Sequence, residues 1–252
     1  MNQTEPLTAF LITTLAGLST GIGSVISLFI REFKHRYLSI MLGFSAGVMI
    51  YVSFVELLGT AVEILGFVWG NAWLFFGIVF IFLIDALVPH NYLAERVKGT
   101  EEDRQLMSAG VFTALGIAIH NFPEGIGVLF STLADINVGL PLAIAIAVHN
   151  VPEGIAVAMP IYYATKSRRK AFLYSFGSGL FEPLGAICGY LLLGPFLTDH
   201  VLAATLAAVG GIMIFISFDE LLPLSFKHGE EHFALLGVLG GMMVMAVSLA
   251  LM

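Results

Sequence analysis

The sequence predicts an all-α integral membrane protein with eight transmembrane helices, and three observations support that fold class. The 252 residues are 58% hydrophobic and only 12% charged, whereas soluble domains average about a quarter charged residues. The mean hydropathy is correspondingly high, at +0.93. A span needs roughly 20 apolar residues, and eight such runs occur, at residues 7–30, 38–61, 71–89, 109–133, 139–163, 171–193, 201–222 and 233–252.

The basic residues predict how these spans are oriented. The loops after the first, third, fifth and seventh spans contain three, three, four and one Lys or Arg, which accounts for all 11 in the chain. Because basic loops remain in the cytoplasm, these four loops are predicted to be cytoplasmic and both termini to lie outside. The whole chain, 1–252, is then one transmembrane domain.

The longest break between spans, residues 91–108, divides them into three, then two, then three. Its mixed charge and low hydrophobicity predict a cytoplasmic loop. The net charge of −7 gives no support to a nucleic-acid partner. Glycines four residues apart predict close helix packing, and they occur as the pairs Gly17/Gly21, Gly43/Gly47, Gly185/Gly189 and Gly237/Gly241.

A hexapeptide is duplicated in the fourth and fifth predicted spans. His-Asn-Phe-Pro-Glu-Gly begins at residue 120, and His-Asn-Val-Pro-Glu-Gly begins at residue 149. Residues four apart share a helix face, so each copy pairs an imidazole with a carboxylate, His120 with Glu124 and His149 with Glu153. The proline between them lacks an amide hydrogen, so each helix should kink and free a backbone carbonyl one turn earlier. In a membrane such a defect is tolerated where it faces protein or water.

The predicted orientation makes the two copies antiparallel, so their depths can be compared. Glu124 and His149 lie nine and ten residues from the outer ends of their spans, and His120 and Glu153 lie 13 and 14 residues from them. Each level therefore holds one imidazole and one carboxylate, and the two levels are about 5–6 Å apart. Imidazole with carboxylate favours zinc, iron or manganese over calcium or magnesium.

Two asparagines and a further glutamate extend this polar cluster. Asn121 and Asn150 follow the two histidines directly, and Glu182 lies near the middle of the sixth span, before a proline and at matching depth. An alternative interpretation is that these groups only join helices, but ionisable groups inside a membrane are costly and usually functional. The predicted metal-binding residues are His120, Asn121, Glu124, His149, Asn150, Glu153 and Glu182.

Other acids lie at several depths and could form a polar path for a cation. Glu56 falls in the outer half of the second span, whereas Asp85, His90, Asp219 and Glu220 fall towards the inner ends of the third and seventh spans. For the last four residues, solvated helix ends are an equally good interpretation.

The duplicated His-Asn-x-Pro-Glu-Gly motif resembles the signature of the ZIP (Zrt-, Irt-like) family of metal transporters, in particular its short prokaryotic ZupT-like members. Phe-Glu-Pro-Leu-Gly at 181–185 and Ser-Phe-Asp-Glu-Leu-Leu-Pro at 217–223 are also similar to these members. The resemblance implies that the seven residues line a midmembrane site for one or two metal ions, with Glu124 and Glu153 as bridging carboxylates. It implies transport towards the cytoplasm, with three-helix halves moving against the central pair. The break at 91–108 contains no histidine, unlike the loop of many eukaryotic members.

The predicted function is therefore transport of divalent transition metals into the cytoplasm, of zinc and also of iron, manganese, cobalt and cadmium. Metal ions and the lipid bilayer are the predicted partners, a prokaryotic plasma membrane is the predicted location, and no catalytic cofactor is expected. The sequence does not fix the oligomer, for which a homodimer is one candidate. A passive channel stays open as an alternative, as does a membrane di-iron enzyme. Bundle di-iron sites use Glu-x-x-His, whereas here His precedes Glu by four residues.

Overall fold

The computed structural model describes residues 4–29, 35–87, 100–193, 196, 198–227 and 231–251, and these residues form helices with no strand among them. The all-α prediction is confirmed. The helices are α1 (Pro6–Leu28), α2 (His35–Val52), α3 (Leu58–Leu65), α4 (Phe67–Leu87), α5 (Glu101–Ala134), α6 (Ile136–Thr165), α7 (Arg168–Gly179), α8 (Phe181–Cys188), α9 (Asp199–Ile216), α10 (Leu222–Lys227) and α11 (Glu231–Ala250). Single π-helical turns follow α2, α8 and α9, at Ser53–Leu57, Gly189–Leu193 and Ser217–Leu221.

Within the described part of the chain, seven helical segments are long and apolar enough to cross a membrane. They are α1, α2 with α3, α4, α5, α6, α9 with α10, and α11. The sixth predicted span is not among these seven segments, because its helix is interrupted: α7 ends at Gly179 and α8 begins at Phe181. Pro183 explains the interruption, since it has no amide hydrogen to bond the carbonyl of Gly179.

Helix α5 begins at Glu101, eight residues before the predicted start of the fourth span. The prediction of a loop through residue 108 is therefore wrong for 101–108. A capping box explains the early start: Asp103 N donates to Thr100 Oγ1 at 3.2 Å, and Thr100 N donates to Asp103 Oδ2 at 2.8 Å. The rest of the predicted loop, 91–99, and His90 lie outside the described residues.

The helices pack as two groups that differ from the three-two-three division of the chain. In the first helix group, α1 packs along α6 and against α7, and α5 packs along α6 and α8. In the second helix group, α2 packs along α11, and α9 packs along α4 and against α3. Helix α10 packs against α2 and belongs to the second group. The first three spans do not form one packed unit, because α1 and α2 lie in different groups.

Glycines bring backbones into contact within each group. In the first helix group, a Cβ at Gly154 would overlap the carbonyl oxygen of Thr20. In the second, a Cβ at Gly47 would overlap the carbonyl oxygen of Val238, and Gly241 meets the backbone of α2 in the same way. The close packing predicted from the pairs in α2 and α11 is confirmed.

The interface between the two groups is mainly apolar. The largest core cluster spans it and includes Leu42 and Met49 from the second helix group and Ile117 and Met159 from the first. Glycines on this interface face side chains rather than backbone: for example, a Cβ at Gly127 would lie 3.5 Å from Cδ2 of Leu206.

Candidate metal centre

The duplicated motifs place four ionisable side chains inside the first helix group. His120 and Glu124 lie one turn apart on α5, and His149 and Glu153 lie one turn apart on α6. Both helices continue past the proline inside each motif. All four side chains are fully buried, with 0% exposure. Burial of four ionisable groups at the centre of an apolar bundle is costly unless they are paired or bind a cation.

The imidazoles pair with carboxylates across α5 and α6 rather than along either helix. His120 Nε2 lies 3.0 Å from Glu153 Oε1, at hydrogen-bond distance. His149 Nε2 lies 3.5 Å from Glu124 Oε1, which is an ion-pair contact without hydrogen-bond geometry. This is the pairing that the depth comparison of the two sequence motifs predicts.

Helix α8 brings a third carboxylate to the same region. The amide of Asn150 donates to Glu182 Oε2 at 2.7 Å and to the carbonyl oxygen of Ala16 on α1 at 3.1 Å. Glu182 is fully buried. A Cβ at Gly125 would overlap the carbonyl oxygen of Glu182, so the glycine that ends the first motif permits this approach of α8.

Asn121 is oriented by the break between α7 and α8. Its amide nitrogen donates to the carbonyl oxygen of Ser178 at 3.3 Å. An amide with its nitrogen bound in this way has its oxygen left for another partner. The interrupted helix therefore positions both Asn121 and Glu182.

Several buried carboxylate and amide oxygens of this centre have no hydrogen-bond partner among the residues that the structure describes. Unpaired buried acceptors cost about 1–3 kcal/mol each, and more when charged. A divalent cation would satisfy them, because it is bound by these oxygen and nitrogen donors. The oxygens without a hydrogen bond are Oε2 of Glu124, its Oε1, which has only the ion-pair contact with His149, Oε2 of Glu153, Oε1 of Glu182, and Oδ1 of Asn121 and Asn150.

A comparison with protein families identifies the chain. The family model described as ZIP zinc transporter matches residues 90–249, which is more than half of the sequence. The chain belongs to the ZIP zinc transporter family.

Curated ZIP relatives match along nearly their whole length. The zinc transporter ZupT of Chlorobium phaeovibrioides is 52% identical over 267 aligned positions, covering 100% of both chains. That of Clostridium perfringens is 49% identical and covers 99% of this chain and 98% of its own. That of Streptococcus mutans serotype c is 52% identical and covers 97% of each. These matches confirm the predicted family, the membrane transport of divalent metal ions, and metal as substrate rather than catalytic cofactor. ZIP proteins are transporters, so the di-iron enzyme alternative is excluded.

A second acidic cluster of this ZIP protein lies apart from the motifs. Carboxylate oxygens of Asp85 on α4 and of Asp219 and Glu220 in the π-helical turn after α9 lie within 4.8 Å of one another. They line a small cavity with Gly116 and Ile216. Asp219 is exposed, and the other two acids are partly buried. The sequence analysis identifies each of these acids individually. The sequence contains no signal that α4 packs against α9, so it does not predict that the three acids form a cluster.

Glu56 of this ZIP protein lines a larger cavity, of about 760 Å³, between the two helix groups. The cavity lies at the end of the molecule where α5 meets α6, and Asp135 and Asp199 also line it. Ala145, also in its wall, lies one turn before His149 on α6. The cavity therefore approaches the buried centre from one end of the bundle.

Proposed function

We propose that the protein carries Zn²⁺ into the cytoplasm through the buried centre between α5, α6 and α8. The observation that carries this proposal is the convergence of two buried imidazole–carboxylate pairs with unpaired carboxylate and amide oxygens. The names of the relatives support zinc as the substrate. The proposed ligands are His120, Asn121, Glu124, His149, Asn150, Glu153 and Glu182.

The centre has enough donors for one or two metal ions. Glu124 and Glu153 each lie beside an imidazole and keep at least one unpaired oxygen, which suits a bridging carboxylate. Glu182 would then help to balance the charge of a second ion. Fe²⁺, Mn²⁺, Co²⁺ and Cd²⁺ accept similar nitrogen and oxygen donors, so we include them among the substrates.

The proposed topology has eight spans with both termini outside. Seven spans are the continuous segments. Helices α7 and α8 together would cross the membrane as the eighth, interrupted span. The orientation depends on the placement of every Lys and Arg in alternate loops. The relatives are bacterial, which supports a prokaryotic plasma membrane. Lipid would cover the exposed apolar face of α4, which includes Phe75 and Phe76, and a homodimer would use a similar face.

Metal would enter from the large cavity and leave towards the acidic cluster. The inside-negative potential favours entry of each charge by about 2.3 kcal/mol per 100 mV. Movement between the two helix groups replaces the three-helix halves expected from the sequence, because the packing separates α1 from α2. Protonation of the His or Glu ligands from the cytoplasmic side would release the metal, since metal ligands must be deprotonated to bind.

Zinc uptake by reconstituted vesicles tests this proposal. Glu124→Ala and Glu153→Ala should each lower the uptake rate by orders of magnitude, because each change removes a buried carboxylate ligand and leaves an imidazole without its partner. Glu63→Ala, which removes an exposed acid of α3, should leave uptake close to that of the unmodified protein. Normal uptake by both substituted proteins, with normal folding and membrane insertion, would contradict the proposal.

A further inference from the structure

Ser45 of α2 makes a hydrogen bond from the second helix group to the metal-binding motif of the first. Its hydroxyl donates to the carbonyl oxygen of Pro152 on α6 at 2.6 Å. Pro152 directly precedes Glu153, whose carboxylate pairs with His120. The serine is fully buried. The acceptor of this hydrogen bond is therefore a backbone carbonyl directly before Glu153, a proposed metal ligand.

The surroundings of this bond make it energetically important. Leu42 and Met49, one turn away on either side of Ser45, are fully buried in the apolar cluster between the groups. A hydrogen bond is electrostatically stronger in such surroundings than in water. A hydroxyl that loses its acceptor there pays a desolvation penalty unless another acceptor is within reach.

Ser45 has such a second acceptor on its own helix. Its Oγ lies 3.1 Å from the carbonyl oxygen of Met41, one turn earlier on α2. A hydroxyl has one proton to donate, so the shorter contact to Pro152 is the stronger one in this arrangement. If the groups separate or slide, the hydroxyl can donate to Met41 and remain satisfied.

We propose that Ser45 is a positioning residue that holds the metal-binding stretch of α6 against the second helix group in the arrangement described here. Its hydroxyl exchanges Pro152 for Met41 as its acceptor when the two groups move during transport. This inference rests on the proposed movement between the groups, and it adds a residue that is not a metal ligand. It predicts that loss of the hydroxyl shifts the balance between arrangements without removing a ligand.

Ser53 provides a matched control. It is also fully buried in the segment that continues α2, and its hydroxyl donates to the carbonyl oxygen of Met49 at 2.7 Å, within the same segment. Ser53→Ala removes a buried serine hydroxyl without removing a bond between the groups. Ser45→Thr retains a hydroxyl at position 45.

The test uses Ser131 of α5, a partly exposed residue in the wall of the large cavity, as an accessibility reporter. In a Cys188→Ala background, Ser131→Cys is labelled in vesicles by a membrane-impermeant maleimide applied from the side on which the cavity opens. Adding Ser45→Ala should slow labelling about three- to tenfold, the range that one buried hydrogen bond supports, because the arrangement with this cavity becomes less populated. Adding Ser53→Ala should change the rate less than twofold, and Ser45→Thr should retain the rate of the reporter protein.

Equal labelling rates in the Ser45→Ala and Ser53→Ala proteins would overturn the inference, provided that both elute as folded protein and melt at similar temperatures. An equally slow rate in the Ser45→Thr protein would also overturn it, because the hydroxyl would then not be the cause. Labelling requires no zinc. Failure of the proposed function would instead appear as normal zinc uptake by the Glu124→Ala and Glu153→Ala proteins.

Discussion

The two helix groups differ in where their ionisable side chains lie. The first helix group holds two histidines and three glutamates with no exposure at its centre. Five acids of the second group line cavities and are instead partly buried or exposed. Glu56, Asp219 and Glu220 lie in π-helical turns, and Asp85 and Asp199 lie in α4 and α9. The first arrangement suits tight binding of a dehydrated ion, whereas the second offers carboxylates that water also reaches. We therefore expect binding and passage to use different parts of the molecule.

Helix backbones approach one another more closely within each group than across the interface between the groups. Within each group, glycines such as Gly154 and Gly47 lie against the backbone of a neighbouring helix. Across the interface, Gly116 and Gly127 face the side chains of Ile216 and Leu206. Contacts between side-chain tips adjust more readily than contacts between backbones, so movement is expected between the groups rather than within them.

Among the tests of this comparison, the largest effect is expected when glycine is replaced by alanine at a contact within a group and at a contact across the interface. Gly154→Ala would place a Cβ against the backbone of Thr20, so α1 and α6 must separate, at a cost of about 3 kcal/mol in the free energy of unfolding. Gly127→Ala would meet Leu206 at an ordinary contact distance of 3.5 Å, so its cost should be below about 1 kcal/mol. Thermal melting of the detergent-solubilised proteins measures both. Similar melting temperatures for the two variants would contradict the proposed difference between the contacts.

Local sequence signals predict the helices and much of the centre. Apolar runs predict the seven continuous segments, and the depths of the two antiparallel motifs predict the pairing of His120 with Glu153. Two further features had signals that composition alone overlooks. The capping box of Thr100 and Asp103 marks the true start of α5, and Pro183 marks the break before α8.

The packing of the groups could not be predicted in the same way. Which helices become neighbours depends on contacts between distant parts of the chain, such as Gly47 with Val238 and Gly154 with Thr20. The acidic cluster joins Asp85 to a turn more than 100 residues later. No periodicity or motif within one segment carries that information. The ligand roles of the seven motif residues stay a prediction.

The next largest effect is expected on zinc affinity, when each of the two asparagines of the centre is replaced by alanine. Asn150→Ala removes the donor to Glu182 as well as an amide oxygen, whereas Asn121 donates to a backbone carbonyl, that of Ser178. Loss of a group that orients a ligand costs about 10–100-fold in metal affinity, so Asn150→Ala should weaken zinc binding by that factor. Asn121→Ala should weaken it less than Asn150→Ala does. Isothermal titration calorimetry of the purified proteins measures both affinities, and equal losses would show that orienting Glu182 contributes nothing.

The smallest expected effect tests whether the acidic cluster acts on passage rather than binding. Asp85→Asn combined with Asp219→Asn should lower the rate of zinc uptake about two- to fivefold at low ionic strength, because a cluster of negative charge concentrates cations near it. The loss should shrink in concentrated salt, which screens exposed charges. Zinc affinity at the buried centre should not change.

Glu63→Gln, at an exposed acid of α3 outside either cavity lining, is the matched control. An unchanged rate at both salt concentrations would mean that these acids are solvated helix ends, whereas a loss of affinity would mean that the two helix groups share the task of binding.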